Sequence, residues 1–221
     1  EDFEPAFRAH AAAGRDVLCL VFTGKMSGCV GSARNARELV LEDYPDAHIE
    51  VMDSTAATVT EAVMVENAVA MRDAGCSLDE TVTWLEAEKV TNQIFFTVGN
   101  LDYLIKGGRI GKVSGRAANL LGIKPSLAVI DGELKVVKKY RGSLPICVGK
   151  YITDLLDGRD DIDDCMVFIS SCQPKPGCME AIKAGLRRYG KFENIIETDI
   201  GTTIGGYSGP GTIGIVFAKK V

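Results

Sequence analysis

Short, unbroken apolar runs alternate with longer helical segments through the first hundred residues of this 221-residue chain. Residues 17–22 and 94–98 are such runs, and each is long enough for a strand but short for a helix. Strands that are apolar on both faces are typical of a parallel sheet covered by helices. The alternation therefore predicts an α/β domain with strands at 17–22, 49–52 and 94–98.

The pattern changes after about residue 112. Residues 127–130 and 133–137 form the arms of a predicted hairpin around Asp131-Gly132, a pair typical of a type I′ turn. The remaining predicted elements are helices at 144–156 and 178–189 and strands at 165–170, 195–200 and 212–218. This half is therefore expected to be α+β with antiparallel pairing.

Two domains follow from this change of pattern. The boundary is placed at residues 112–116, where Gly111 and Gly115 lie among charged residues. Residues 1–112 are expected to form the α/β domain, and residues 113–221 the α+β domain with its antiparallel sheet.

Composition argues against several classes of protein. The net charge of −5 argues against nucleic-acid binding, and the longest apolar runs are too short to span a membrane. The N-terminus lacks the apolar stretch of a signal peptide. Seven cysteines without Cys-x-x-Cys spacing favour a reducing, cytoplasmic location. The two histidines, His10 and His48, are isolated, so neither a metal nor another cofactor is expected.

Four polar, glycine-bearing turns interrupt the apolar elements. The first, residues 23–28, lies between a strand and a helix, where helix N–H groups favour an anion. It is not a P-loop, because the glycine that such a loop needs is replaced by Cys19, and an ordinary strand–helix turn remains the other interpretation. The second turn, Asp53-Ser54-Thr55, is better explained as the cap of the next helix.

The third turn, Lys106-Gly107-Gly108-Arg109-Ile110, contains two glycines that suit a helix end. Its arginine is either a surface charge or a bidentate partner for a carboxylate or phosphate. The fourth turn, residues 205–211, is predicted to be a flexible loop that carries one tyrosine. A Gly-x-Gly-x-x-Gly match at 209–214 leads into a strand and not a helix, so no dinucleotide site is expected there.

These turns, in this order, resemble the DegV family of bacterial lipid-binding proteins. The matching segments are Phe22–Ala33, Asp53-Ser54, Leu101–Ile110, Leu121–Pro125, Asp131-Gly132, Arg141-Gly142 and Gly209–Gly211. The resemblance covers essentially the whole chain. It implies a Rossmann-like α/β/α domain with a mostly parallel sheet and an α+β domain with an antiparallel sheet. A fatty acid is then expected between the domains, with its acyl tail in the second.

The same resemblance implies that the chain presents the fatty acid carboxylate to a separate fatty acid kinase. By motif, Ser27 would bond the carboxylate, Arg109 would lie near the head group, and the loop 206–211 would close the site. The expected carboxylate-binding residues are Thr23, Ser27, Gly28, Arg109, Tyr207 and Ser208. The expected cleft-loop residues are Asp53, Ser54, Gly108, Gly209 and Gly211.

The chain departs from the family pattern in four places. The family begins with a strand upstream of Glu1, so the first sheet is expected to look incomplete. Thr23 replaces a serine, Cys29 replaces a threonine, and Tyr207 replaces a histidine next to the Gly-Pro-Gly.

The chain is not expected to be an enzyme on its own. The turns contain neither a nucleotide-phosphate cradle nor the clustered carboxylates that phosphoryl transfer needs, and the two histidines assemble no catalytic triad. Two alternatives stay open. One is a small-molecule phosphotransferase related to the dihydroxyacetone kinases, and the other is a regulatory protein with a structural lipid.

Overall fold

The computed structural model describes residues 2–89, 94–110, 123–159, 165–190, 192 and 194–219. Contacts group the chain into two compact units, Glu1–Asn92 with Asp131–Glu133, and Gln93–Ile130 with Leu134–Val221. The boundary predicted at residues 112–116 lies outside the described residues. The contacts divide the chain before that point, ahead of residue 93.

The first unit is a three-layer α/β/α structure. Its elements are α1 (Phe3–Ala12), β1 (Val17–Val21), α2 (Cys29–Asp43), β2 (Ile49–Asp53), α3 (Val59–Asp73) and α4 (Leu78–Glu88). The two strands are parallel, with Val17 opposite Ile49. One face of the sheet packs against α1 and α2 through Val21, and the other packs against α3 and α4 through Met52. The parallel pairing predicted for the strands at 17–22 and 49–52 is therefore confirmed.

Local signals set the ends of the helices in this unit. The Oγ of Ser77 accepts the N–H of Glu80 at 3.2 Å, while the Glu80 carboxylate accepts the N–H of Ser77 at 2.7 Å. This reciprocal pair is a capping box, and it begins α4. Gly75 follows α3 with a φ of 89°, a left-handed conformation that suits glycine at a helix end.

The second unit is built on one mixed sheet. Its elements are β3 (Phe95–Thr97), α5 (Asp102–Lys106), β4 (Ile123–Ile130), β5 (Glu133–Arg141), α6 (Leu144–Leu156), β6 (Cys165–Cys172), α7 (Cys178–Tyr189), β7 (Ile195–Asp199), α8 (Thr202–Ser208) and β8 (Thr212–Lys219). The strand order is β5-β4-β3-β8-β6-β7. β8 is antiparallel to both β3 and β6, as predicted for this half. One pair departs from that prediction, because α7 joins β6 to β7 as a crossover and makes them parallel.

The strand predicted at 94–98 is present as β3, but its expected place in the first, parallel sheet was wrong. Phe95 lies opposite Ala128 of β4 and Ile215 of β8, both in antiparallel pairs. Phe95 packs against the core under α6 and α7, whereas Phe96 packs against the core under α5. A central antiparallel strand with both faces covered is as apolar as a parallel one, so the apolar run could not distinguish them.

Of the two turns predicted in the second half, one is present as predicted and the other is partly replaced by a helix. Asp131 and Gly132 have φ of 52° and 77°, and two positive values are what a type I′ turn requires, so that prediction is confirmed. The loop predicted at 205–211 is partly helical, because α8 continues to Ser208. Its two glycines lower helix propensity, and the contact of α8 with α5 is not visible in the local sequence. Within the described part of the chain, no helix is long and apolar enough to cross a membrane.

Candidate functional site

The first candidate turn, residues 23–28, leaves β1 and enters α2. Thr23 is fully buried, and its Oγ1 donates a hydrogen bond to the Gly132 carbonyl at 3.0 Å. The same oxygen accepts the N–H of Lys25 at 3.4 Å. The Thr23 hydroxyl therefore fixes the turn, and its role in binding a carboxylate stays a prediction.

Ser27 is half-buried just before α2. Its Oγ accepts the N–H of Cys29 at 3.2 Å and donates to the Cys29 Sγ at 3.0 Å. Gly28, at the N-cap position, is exposed, and the first turn of the helix carries no acidic side chain. Sulfur is a weak acceptor, so the Ser27 O–H can rotate to donate to a stronger acceptor such as a ligand oxygen. The N-terminus of α2 is partly positive and favours an anionic acceptor at this place. This geometry suits a carboxylate.

The Asp53 side chain holds the first turn from the neighbouring strand. Its two oxygens accept the N–H of Gly24 at 3.2 Å each, and one also accepts the N–H of Thr55 at 2.9 Å. A Cβ on Gly24 would lie 2.8 Å from the Asp53 Oδ2, so the close approach needs glycine. The expectation that this second turn caps the next helix was wrong, because Thr58 is the N-cap of α3.

Ser54 is fully buried and connects the second turn to α3. Its Oγ accepts the N–H of Ala56 at 3.1 Å and donates to the Glu61 Oε1 at 3.3 Å. Burial raises the pKa of the Glu61 carboxyl from 4.5 to about 7, although hydrogen bonds from Ser54 and from the N–H of Thr58 act in the opposite direction. Glu61 is absent from the predicted site. The capping-box spacing of Thr58 and Glu61 is the signal that could have found it.

The third candidate turn ends α5. Gly107 is the helix C-cap, and Gly108 has a φ of 70°, as expected for glycines at a helix end. A Cβ on Gly107 would overlap the ring of Tyr207. The exposed Arg109 donates from Nη1 to the Gly107 carbonyl at 2.7 Å, and its guanidinium carbon lies 4.5 Å from the Tyr207 ring centroid. The third turn is therefore in contact with the end of α8, within the second unit.

Tyr207 and Ser208 end α8. The Tyr207 side chain is exposed, whereas Ser208 is 5% exposed and its Oγ has no hydrogen-bond partner among the described residues. Buried hydroxyls normally have a partner, so the Ser208 Oγ is a candidate ligand contact. Gly209 and Gly211 follow with φ of 78° and 83°, and Gly209 packs against the ring of Tyr103.

The predicted residues thus form two sets. The set in the first unit is Thr23, Ser27, Gly28, Asp53 and Ser54, and the set in the second unit is Gly108, Arg109, Tyr207, Ser208, Gly209 and Gly211. Each set joins turns that are distant in sequence. A cleft shared by both sets stays a prediction. Across the residues that the structure describes, no group of three or more His, Cys, Asp or Glu is placed to hold a metal ion.

Comparison with known proteins identifies close relatives of the chain. The model of a family described as "Uncharacterised protein, DegV family" matches residues 1–220. A DegV domain-containing protein of Streptococcus pyogenes serotype M1 is 33% identical over 216 residues, which cover 97% of this chain and 73% of the relative.

Two solved structures extend the comparison to three dimensions. A fatty acid (stearic acid)-binding protein from Eubacterium ventriosum is 35% identical, with a TM-score of 0.82 over 98% of this chain and 75% of that one. A DegV family protein from Thermus thermophilus, described by its fatty acid binding, is 25% identical, with a TM-score of 0.80 over 99% of this chain and 76% of that one.

Proposed function

The chain belongs to the DegV family, and from that membership we propose that it carries long-chain fatty acids and presents the acyl carboxylate to a separate fatty acid kinase. The observation that carries this proposal is the 35% identity to a stearic acid-binding protein across 98% of the chain. Burial of an acyl tail supplies about 0.8 kcal/mol per CH₂, which is ample for a long chain.

The head-group chemistry is proposed to involve residues of both sets. In the first unit, the Ser27 hydroxyl donates to the carboxylate beside the exposed Gly28 N-cap, while Thr23, Asp53 and Ser54 hold the turns. The second set supplies the buried, unpartnered Ser208 hydroxyl and the exposed cation of Arg109. Hydroxyls and a guanidinium are the groups that bind a carboxylate well.

The carrier is proposed to lack catalytic activity of its own. Phosphoryl transfer needs a phosphate cradle and acidic ligands for Mg²⁺ near the reacting oxygen. The candidate turns provide hydroxyls, glycine N–H groups and the basic side chains of Lys25, Lys106 and Arg109. The Asp53 carboxylate already accepts the N–H groups of Gly24 and Thr55. The pure protein should therefore consume no ATP with fatty acid and Mg²⁺ present, whereas added fatty acid kinase should yield acyl phosphate.

The proposed location is the cytoplasm. Its support is the state of the cysteines whose side chains are described, all of them free thiols: Cys19, Cys29, Cys76, Cys147, Cys172 and Cys178. A reducing compartment preserves such thiols. Cell fractionation with an antibody against the chain would test this location.

Native mass spectrometry after mild purification tests the carrier function. A bound acid of about 14 to 18 carbons is expected, because burial of a tail of that length at about 0.8 kcal/mol per CH₂ gives ample binding free energy. Consistent absence of bound lipid would contradict the proposal and favour the phosphotransferase. A structural lipid in a regulatory protein would instead stay bound when labelled fatty acid is added, whereas a carrier should exchange it.

A further inference from the structure

The position of the first candidate turn depends on the second. The N–H of Thr23 donates to the Ala56 carbonyl at 3.1 Å, and the N–H of Gly24 donates to the Asp53 carboxylate. In return, the N–H of Ser54 donates to the Val21 carbonyl at 2.9 Å. Any shift of the turn at 53–56 therefore moves the backbone that leads to Ser27.

Glu61 supports that second turn from the first turn of α3. The Glu61 Oε1 accepts a hydrogen bond from the Ser54 hydroxyl at 3.3 Å. The Glu61 carboxylate also accepts the N–H of Thr58. Ser54 has no exposed surface, so water cannot replace Glu61 as the partner of its hydroxyl without a rearrangement.

The segment between these residues is strained. Thr55 and Thr58 have φ of 49° and 58°, in a region that costs a β-branched residue energy. The Oγ1 of Thr58 is buried without a partner among the described residues. Such a conformation persists only when its surroundings enforce it, and Glu61 is one of the groups that do so.

The charges around Glu61 make its ionisation sensitive to its neighbours. Desolvation is the main cause of its raised pKa, and the negative charge of Asp53 acts in the same direction. At the C-cap of α4, Lys89 donates to the Asp53 carbonyl at 3.3 Å and pairs with Glu86.

We propose that Glu61 is a positioning residue, which sets the geometry of the turn at 23–28 and whose protonation adjusts how tightly that turn receives an anionic head group. This inference rests on the proposed carrier function. An ionised Glu61 adds a second negative charge beside Asp53, so a carboxylate ligand is held more weakly when Glu61 is ionised. By linkage, the bound ligand also favours the protonated form.

The lipid-free protein gives a test that does not depend on the ligand. In NMR spectra of the wild type, we expect the Gly24 amide signal to shift with pH around a midpoint near 7. The control variant is Glu66→Gln, which removes an exposed carboxylate of the same helix and should keep the shift. Glu61→Gln should remove the shift but keep the amide ordered, because its carbonyl still accepts both hydrogen bonds. Glu61→Ala should broaden the Gly24 signal. An unchanged titration in Glu61→Gln, or an unperturbed amide in Glu61→Ala, overturns the proposal.

Palmitate affinity at pH 6 and pH 8 then connects the turn to binding. Glu66→Gln corrects for ionisation of the fatty acid itself. Between pH 6 and pH 8, the palmitate affinity of Glu61→Gln should fall by a factor about three times smaller than the affinity of Glu66→Gln falls. Equal declines in the two variants overturn the link to binding. If no variant binds palmitate, the carrier function fails, and the Gly24 titration still decides whether Glu61 positions the turn.

Discussion

At the scale of single residues, hydrogen-bond partners distinguish the two hydroxyls of the first candidate turn. Thr23 is buried and donates to a backbone carbonyl, so its hydroxyl serves the fold. Ser27 lies four residues further on, and its one hydroxyl partner as a donor among the described residues is a thiol. It is next to an N-cap glycine, and the first turn of that helix has no acidic side chain. Sequence motifs treat the two hydroxyls alike, whereas their partners in the structure separate them.

Ser27→Ala should weaken fatty acid binding about ten- to a hundredfold. The change removes one hydrogen bond to a charged group, which is worth about 1.5–3 kcal/mol. Isothermal titration calorimetry with a long-chain acid measures the effect. Ser32→Ala is the matched control, because Ser32 is an exposed serine of α2 whose hydroxyl donates to the Gly28 carbonyl at 3.4 Å. Parent-like affinity in Ser27→Ala would place the head group elsewhere.

At the scale of elements, turns with required glycines fix how strands and helices are joined. The hairpin of β4 and β5 turns at Asp131 and Gly132, both with positive φ. Gly132 also lies against Thr23, since a Cβ there would be 2.5 Å from the Thr23 Oγ1. Its conformation and its contact therefore both require glycine.

Gly132→Ala should lower the free energy of unfolding by about 2–3 kcal/mol. About 1 kcal/mol of this comes from the left-handed backbone, and the rest from displacement of the Thr23 hydroxyl. Gly158→Ala separates the two causes, because Gly158 has a φ of 74° and no atom within 4 Å of its Cβ position. Chemical denaturation measures both variants. Equal losses would show that the contact with Thr23 contributes nothing.

At the scale of the whole molecule, two carboxyl groups with shifted pKa values tie stability to pH: Glu61 in the first unit and Asp154 in the second. In the first unit, burial raises the pKa of Glu61 to about 7. In the second unit, the Asp154 carboxylate accepts hydrogen bonds from Lys138 and Tyr140, each at 2.7 Å, which lower its pKa. The two groups act in opposite directions along the pH scale.

We expect stability to decline on both sides of a maximum at mildly acidic pH. Glu61 has a folded pKa above its ordinary value of 4.5, so its contribution is complete below about 4.5 and is lost as pH rises through about 7. After allowance for its partial exposure, the loss is about 1–2 kcal/mol. Asp154 has a lowered folded pKa, so its contribution is present above its ordinary 3.8 and is lost on further acidification.

Thermal unfolding of two variants across pH separates these effects. Glu61→Gln should flatten the decline of Tm between pH 5 and 8 and leave the acid side intact. Asp154→Asn should reduce the loss below pH 4 by a small amount, since its ion pair is partly exposed. A neutral-side decline that persists in Glu61→Gln would contradict the assignment to this group.

The sequence by itself determined those features whose signals are local. The bounds of α6 and α7, the capping box of Ser77 and the type I′ turn all follow from residues within a few positions of one another. The same holds for the turns with Ser27 and Arg109, where glycine, hydroxyl and charge occur together. Local propensity and turn chemistry act through neighbouring residues, so they can be read from the chain.

Tertiary structure decided the features that depend on distant contacts. It placed β3 between β4 and β8, and it formed α8 despite its glycines. It also paired the Thr23 hydroxyl with the Gly132 carbonyl and brought the half-buried Glu61 carboxylate to the buried Ser54 hydroxyl. The physical reason is that strand pairing, burial and desolvation are set by residues far apart in sequence. The local sequence around an apolar run or a single carboxylate does not specify which residues pack against it.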